Sequence, residues 1–229
     1  MHSLIMNKLY ISIILFSILS FYLINGIIYS MSHKLKLVEE FRLLFQKGVY
    51  KRCIFNGLLG GILASFTIWK YINISTVLTI LLFLALLLII SSVDIATMEI
   101  PNTFVIAALV LGIISIFTMP GTSLSSRILG MFVVSVPLLL ITFLVPGAFG
   151  GGDIKLMAAC GLFLGTKLTL LSFAFAVLTG GLYGIWLLVM KKKSGKEHFA
   201  FGPFLCLGMA AALFIGDRVW DWYAGLLYL

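Results

Sequence analysis

Apolar residues run through this chain in long blocks rather than alternating with polar ones. Positions 76–93 and 128–145 are each 18 residues without a charge, about the length of helix that crosses a bilayer core. A membrane barrel would alternate polar and apolar positions along its strands, whereas these runs are apolar on every face, so helices that satisfy their own backbone are the expected element. Runs bounded by charge, Gly and Pro predict eight crossings: 9–29, 54–69, 76–93, 103–119, 128–145, 154–165, 168–190 and 199–215. The sixth is short and Gly-rich, and counts of six or seven are also compatible with the pattern. The expected fold class is therefore an all-α polytopic membrane protein.

Composition sharpens this picture. Of 229 residues 62% are hydrophobic and 10% charged, and mean hydropathy is +1.17, while soluble domains carry roughly a quarter charged residues. The net charge of +8 does not point to nucleic acid, because the basic residues sit in short segments between the apolar runs. Eleven of the 16 Lys and Arg fall on one set of connections, in 31–52, at Lys155 and in 191–196; the other set holds Lys8, Lys70, Arg127, Lys167 and Arg218. Cytoplasmic loops carry the basic excess, which predicts an N-terminus outside, 31–52 inside, and the Trp- and Tyr-bearing 216–229 outside. The first run exceeds the apolar core of a secretory signal and lacks a small-residue cleavage site, so a retained helix is expected. Segment 31–52 mixes Leu35, Val38, Phe41 and Phe45 with charges at helical spacing, predicting an amphipathic helix on the inner surface. No repeat or low-complexity linker interrupts the chain, so 1–229 reads as one membrane-embedded domain. Cys53, Cys160 and Cys206 form no CxxC pair and read as packing residues, with neither a metal site nor a disulfide framework indicated.

Chemistry narrows to the acids. Six of the eight, Glu39, Glu40, Glu99, Glu197, Asp217 and Asp221, fit solvated loops, but Asp94 directly follows an apolar run and Asp153 directly precedes one. Ionisable groups at such places are costly and suggest function. The two are 59 positions apart with two crossings between them, which returns the chain to the same side. Two carboxylates there can share a proton, one acting as base toward a water and the other as acid toward a scissile carbonyl. Asp94 capping the turn toward Pro101 and Asp153 capping the next helix are structural alternatives, and proton or ion coupling in a transporter is a functional one. Gly150, Gly151 and Gly152 read either as a flexible loop or as backbone kept bare for an extended substrate. A phosphate-binding role is discarded, since Asp153 would repel the anion and no GK[ST] follows.

Three motifs carry a family resemblance: Asp94 followed by Ile100-Pro101-Asn102; Gly150-Gly151-Gly152-Asp153 continuing through Lys155-Leu156, Ala158, Gly161 and Gly165; and Phe201-Gly202-Pro203-Phe204-Leu205 after a basic loop. In their order and spacing the chain resembles the type IV prepilin leader peptidases, GxGD-type membrane aspartyl peptidases that include shorter members serving competence and secretion pseudopilins. The resemblance implies cleavage of a short basic leader after a Gly, at the cytoplasmic face of the cell membrane, from type IV prepilin-like or pseudopilin proteins. It implies catalytic roles for Asp94 and Asp153, and supporting or substrate-binding roles at most for Gly150, Gly152, Lys155, Pro101, Asn102, Gly202 and Pro203. Snorkelling of Lys155 to the interface is the simpler account of that residue. Many members carry a longer cytoplasmic insertion with zinc-holding CxxC pairs and also methylate the new N-terminus. Here the corresponding loop is only 31–52, so zinc by that route is excluded; S-adenosylmethionine would be needed only if methyl transfer is retained. Asn102 stands where Asp is frequent. A non-catalytic assembly partner of a pilus or secretion machine is the remaining alternative.

Overall fold

The computed structural model describes residues 10–23, 47–190 and 199–227. All regular structure among them is helical: α1 Tyr10–Leu23, α2 Lys47–Lys70, α3 Ile74–Thr97, α4 Asn102–Thr118, α5 Leu124–Val133, α6 Ser135–Leu144, α7 Gly151–Val189 and α8 Gly202–Leu227. Among the described residues four stretches are long and apolar enough to cross a membrane, Ile74–Thr97, Leu124–Leu144, Gly151–Val189 and Gly202–Leu226, and α1, Ile54–Lys70 and α4 are shorter apolar helices. Large side chains such as Phe117 and Phe143 are 81% and 85% exposed. Bare faces of that kind suit hydrocarbon and not water. This is a polytopic all-α membrane protein.

The helices differ from the expected crossings where local chemistry is strong. Run 128–145 is interrupted at Val134, which separates α5 from α6. Pro137 accounts for the break, because its ring lacks an N–H and crowds the carbonyl four residues back, that of Val133. The expected last crossing, 199–215, begins at Gly202 and runs on to Leu227, so the predicted outer tail from 216 is helix in its described part. Asp217 and Asp221, expected in a solvated loop, lie on that helix with Lys167 Nζ 3.3 and 3.6 Å away. The predicted surface helix falls outside the described residues as far as position 46, and 47–52 form the first turns of α2.

Runs 154–165 and 168–190 emerge as one 39-residue α7 with a non-helical Gly165, φ 74° and ψ 170°. A straight helix would set Asp153 and Leu187 about 51 Å apart at 1.5 Å per residue. Yet Met98 lines one cavity with Asp153 and an adjoining one with Leu187. The chain therefore reverses at Gly165, and α7 is two antiparallel arms, 151–164 and 166–189. Only a residue without a Cβ suits that φ, and a Cβ there would also lie 2.7 Å from Thr122 Cγ2.

The chain divides into two compact units, Met1–Ala85 and Leu86–Leu229. In the first, Ile13, Ala64, Val77 and Leu81 form a buried cluster bordered by Tyr10, Ile68 and Tyr71. Gly60 and Gly61 let α2 meet Phe21 and Ile18 of α1 closely, and Ser17 Oγ donates to the Gly60 carbonyl at 3.1 Å, the small-residue packing typical of membrane helices. In the second, α7 packs against α4, α5 and α8. Cys160 and Cys206 are buried there as packing residues.

At the reversal Arg127 is fully buried. Its Nη1 donates to Ser115 Oγ at 2.6 Å and to the Leu162 and Phe163 carbonyls at 3.1 and 3.0 Å. Nη2 donates to the Ser115 and Met119 carbonyls at 3.1 and 2.8 Å, and Nε to that of Thr122 at 3.3 Å. The guanidinium thus caps the carbonyl ends of α4 and of the first α7 arm, where two helix dipoles present negative charge.

Candidate active site

Asp94 lies one turn from the end of α3 and is buried. Its backbone carbonyl accepts from the Met98 N–H at 2.8 Å, and Met98, with φ 54°, is the one described non-glycine residue at positive φ. This is a left-handed helix stop built without glycine. Ile100 precedes a proline and is steered out of helical geometry. Pro101 then caps α4 with φ −58° and ψ 137°, and its carbonyl accepts the Phe104 N–H at 3.0 Å.

Asp153 is positioned by the other side of the site. Val145 to Ala148 form a turn with the Ala148 N–H donating to Val145 O at 3.1 Å, Pro146 at its second position and Gly147 at φ 83°, the pattern of a type II turn. Gly150 caps α7, which places Asp153 in the first turn with its carboxylate accepting the Gly150 amide. That is the return half of a capping box; the N-cap is Gly150 and the helix already begins at Gly151, so Asp153 is not the cap of a helix starting at Ile154. Asp94 caps no turn; its Oδ2 accepts the Gly202 N–H at 3.0 Å.

Each aspartate is therefore held by one glycine amide. A Cβ at Gly202 would stand 2.6 Å from Asp94 Oδ2, and one at Gly150 2.9 Å from Asp153 Oδ2. Neither position has room for a side chain. Gly152 packs within 3.0 Å of Ile100 by the same measure, while Gly151 meets nothing, so the glycine run is the close-packed start of a helix with one bare position. Lys155 is exposed and its Nζ donates to Asn102 Oδ1 at 3.3 Å, tying α4 to α7 beside the aspartates. Pro203, in the first turn of α8 where a missing N–H costs nothing, lines a neighbouring cavity and not the one at the aspartates.

Both carboxylates open into a cavity of about 470 Å³ with Met98, Phe149 and Phe201, and into a second of about 280 Å³ with Glu99, Ile100 and the glycines. They are close enough to interact electrostatically. Two acids with one face each held by an amide, and the rest open to a common space, can hold a water and pass a proton between them. Sequence reasoning passed over Met98, Phe149 and Tyr183. Met98 borders all three cavities of this region, and no residue-type signal marks a methionine for positive φ.

Residues 81–185 match the type IV leader peptidase family. The matched stretch holds both aspartates and the glycine run, and the Phe201 to Leu205 motif lies beyond it. A prepilin leader peptidase/N-methyltransferase of Bacillus subtilis (strain 168) is 33% identical over 141 residues, 62% of this chain and 57% of that protein. Proteins of the same name from Legionella pneumophila and Neisseria gonorrhoeae are 38% identical over 76 residues (33% and 26% of the two chains) and 29% identical over 170 residues (71% and 57%). The chain thus spans little more than half the length of the Bacillus and Neisseria relatives. No solved structure matches it.

Proposed function

We propose that this protein is a membrane aspartyl endopeptidase that removes the short basic leader of type IV prepilin-like or pseudopilin proteins after a glycine. The observation that carries the reading is that Asp94 and Asp153, both within the family match, open into one cavity while each accepts a glycine amide. In the reaction one carboxylate takes a proton from a water as it attacks the scissile carbonyl, and the other, protonated, donates to the carbonyl oxygen. Collapse of the tetrahedral intermediate then releases the leader as an acid and the new N-terminus as an amine. The chain's own carboxylates suffice for this chemistry, and no cofactor enters it. The basic excess on the connections at 31–52, Lys155 and 191–196 supports a site facing the cytoplasm from the cell membrane.

The test is leader removal. Detergent-solubilised protein is incubated with a prepilin-like peptide carrying a basic leader, Gly at the junction and an apolar helix, and product mass is read beside Asp94→Asn and Asp153→Asn. The parent cuts after Gly and neither variant does. Full activity in either folded variant would remove the paired-aspartate mechanism. A further 14 Da on the product, seen only with S-adenosylmethionine, would assign to this chain the methyl transfer printed in the relatives' names.

A further inference from the structure

Each glycine whose amide holds an aspartate directly follows a phenylalanine, Phe149 before Gly150 and Phe201 before Gly202. Both phenylalanines line the aspartate cavity, and their rings meet there with centroids 6.2 Å apart and planes at 57°, the spacing of a favourable aromatic pair. Their supports differ. Phe201 is seated against the second α7 arm, where a Cβ at Gly180 would stand 2.9 Å from its Cε2, and its ring adjoins that of Phe204 at 6.4 Å. Its carbonyl accepts the Phe204 and Leu205 N–H groups at 3.0 and 3.2 Å, the first bonds of α8. Phe149 instead comes off the turn at 145–148, whose residues are exposed. The start of α8 is thus braced from behind, and the start of α7 meets it through the Phe149 ring.

We propose that Phe149 and Phe201 are positioning residues for the reaction: their contact ties the start of α7 to the start of α8 and so sets the separation of Asp94 and Asp153. The inference rests on the peptidase reading above. Asp153 rides on α7 and takes the Gly150 amide, while Asp94, on α3, takes the amide of Gly202 on α8. Two carboxylates that share one water and one proton must stay within about half an ångström of their working distance. Neither ring can move a proton, so both act through the glycines that follow them. The contact lies one residue from each amide, which leaves little chain to absorb its loss.

Phe149→Ala and Phe201→Ala each lower kcat for leader removal by roughly 10–100-fold with KM nearly unchanged. The double variant is no worse than either single one, because either truncation breaks the same contact. Phe149→Tyr keeps the ring and recovers most of kcat. A raised KM at parental kcat, with losses that multiply in the double variant, would mark rings that only touch substrate and would overturn the proposal. Misfolding is separated out by tying the two positions covalently within one preparation. Phe149→Cys/Phe201→Cys protein in a Cys53→Ser background is assayed before and after bridging with a short bis-methanethiosulfonate, and again after reduction. Activity rises on bridging and falls on reduction; a bridged form no more active than the open one overturns the tie. A second readout needs no turnover. Nitroxides at Gly151, where a Cβ meets nothing, and at Leu207, exposed on α8, report the distance between the two helix starts by electron paramagnetic resonance. That distance lengthens or broadens in Phe149→Ala, and an unchanged distribution overturns the proposal. Should the parent cut no leader peptide, the peptidase reading falls and this distance alone decides the tie.

Discussion

Replacing Arg127 by Leu removes the cation that closes two helix ends at once, and the structure fixes what is lost. The guanidinium has five N–H groups and makes six contacts, five to backbone carbonyls and one to Ser115 Oγ. Two of those carbonyls have other donors: Ser115 O accepts the Met119 N–H at 2.9 Å, and Met119 O the Thr122 N–H at 3.5 Å. The carbonyls of Leu162 and Phe163 stand just before the reversal at Gly165, and the Thr166 amide, which would close another turn on Leu162, donates instead to Ser126 Oγ at 3.1 Å. Leaving a buried acceptor unmet costs about 1–3 kcal/mol, so this pair alone amounts to roughly 2–6 kcal/mol.

Burial of the charge itself works in the other direction, since apolar replacements of whole buried ionic clusters are often neutral or stabilising. Arg127 differs because its partners are backbone, and no single substitution removes both sides. With 1 kcal/mol corresponding to about 2–4 °C for a chain of this size, Arg127→Leu melts roughly 5–20 °C below the parent. Intrinsic tryptophan fluorescence of the detergent-solubilised protein reads this directly. Arg127→Lys keeps the charge but has three donors and no fork, and falls between the two. A melting temperature for Arg127→Leu within 2 °C of the parent would refute the capping argument.

Gly202→Ala places a Cβ against Asp94 Oδ2 and Cγ, 2.6 and 3.0 Å away, so the carboxylate must shift; leader removal falls by about 100-fold or more while the melting curve moves little, and near-parental activity would show that the Asp94 position is not critical. Gly161→Ala brings a methyl into the backbone of Gly130 where α5 and the first α7 arm meet; because backbone cannot yield as a side chain can, the fold is lost or strongly destabilised, as size-exclusion dispersity after extraction will report. Lys167→Met removes an exposed pairing with Asp217 and Asp221 and changes stability by less than about 1 kcal/mol, a contrast that checks the assay used for Arg127.

What could be read along the chain is what depends on neighbours in sequence. Apolar runs named the helices because a bilayer-spanning segment is apolar whatever it packs against, and Asp94 and Asp153 stood out because each abuts such a run. The two-crossing count between them placed both on one side, and they do open into one cavity. The misses come from contacts between distant segments. Arg127, at the edge of a run, read as a flanking charge, and only the fold brings residues 115–119 and 162–163 around it. Asp217 and Asp221 read as loop because a charge ends an apolar run, yet α8 continues through them to Leu227, with Lys167 pairing across the bundle. Pro137 was visible in its run, but a proline in a membrane helix either kinks it or breaks it, and the outcome here is a break at Val134.

Glycine was the most informative residue type and also the least specific. The sequence reading allowed the run at 150–152 to be loop or bare substrate track. In the fold, Gly150 and Gly152 are bare because Asp153 and Ile100 occupy the space a Cβ would need, and Gly202 is bare because Asp94 does. Two helix starts, those of α7 and α8, each deliver one amide to one carboxylate, and each can do so only because the residue supplying the amide has no side chain. Gly150 and Gly202 thus share one physical function, to let backbone donors reach two acids that are 59 positions apart. An alanine at either place would move an acid without removing it. Gly150→Ala and Gly202→Ala should therefore resemble weakened Asp→Asn variants in their kinetics and the parent in their folding.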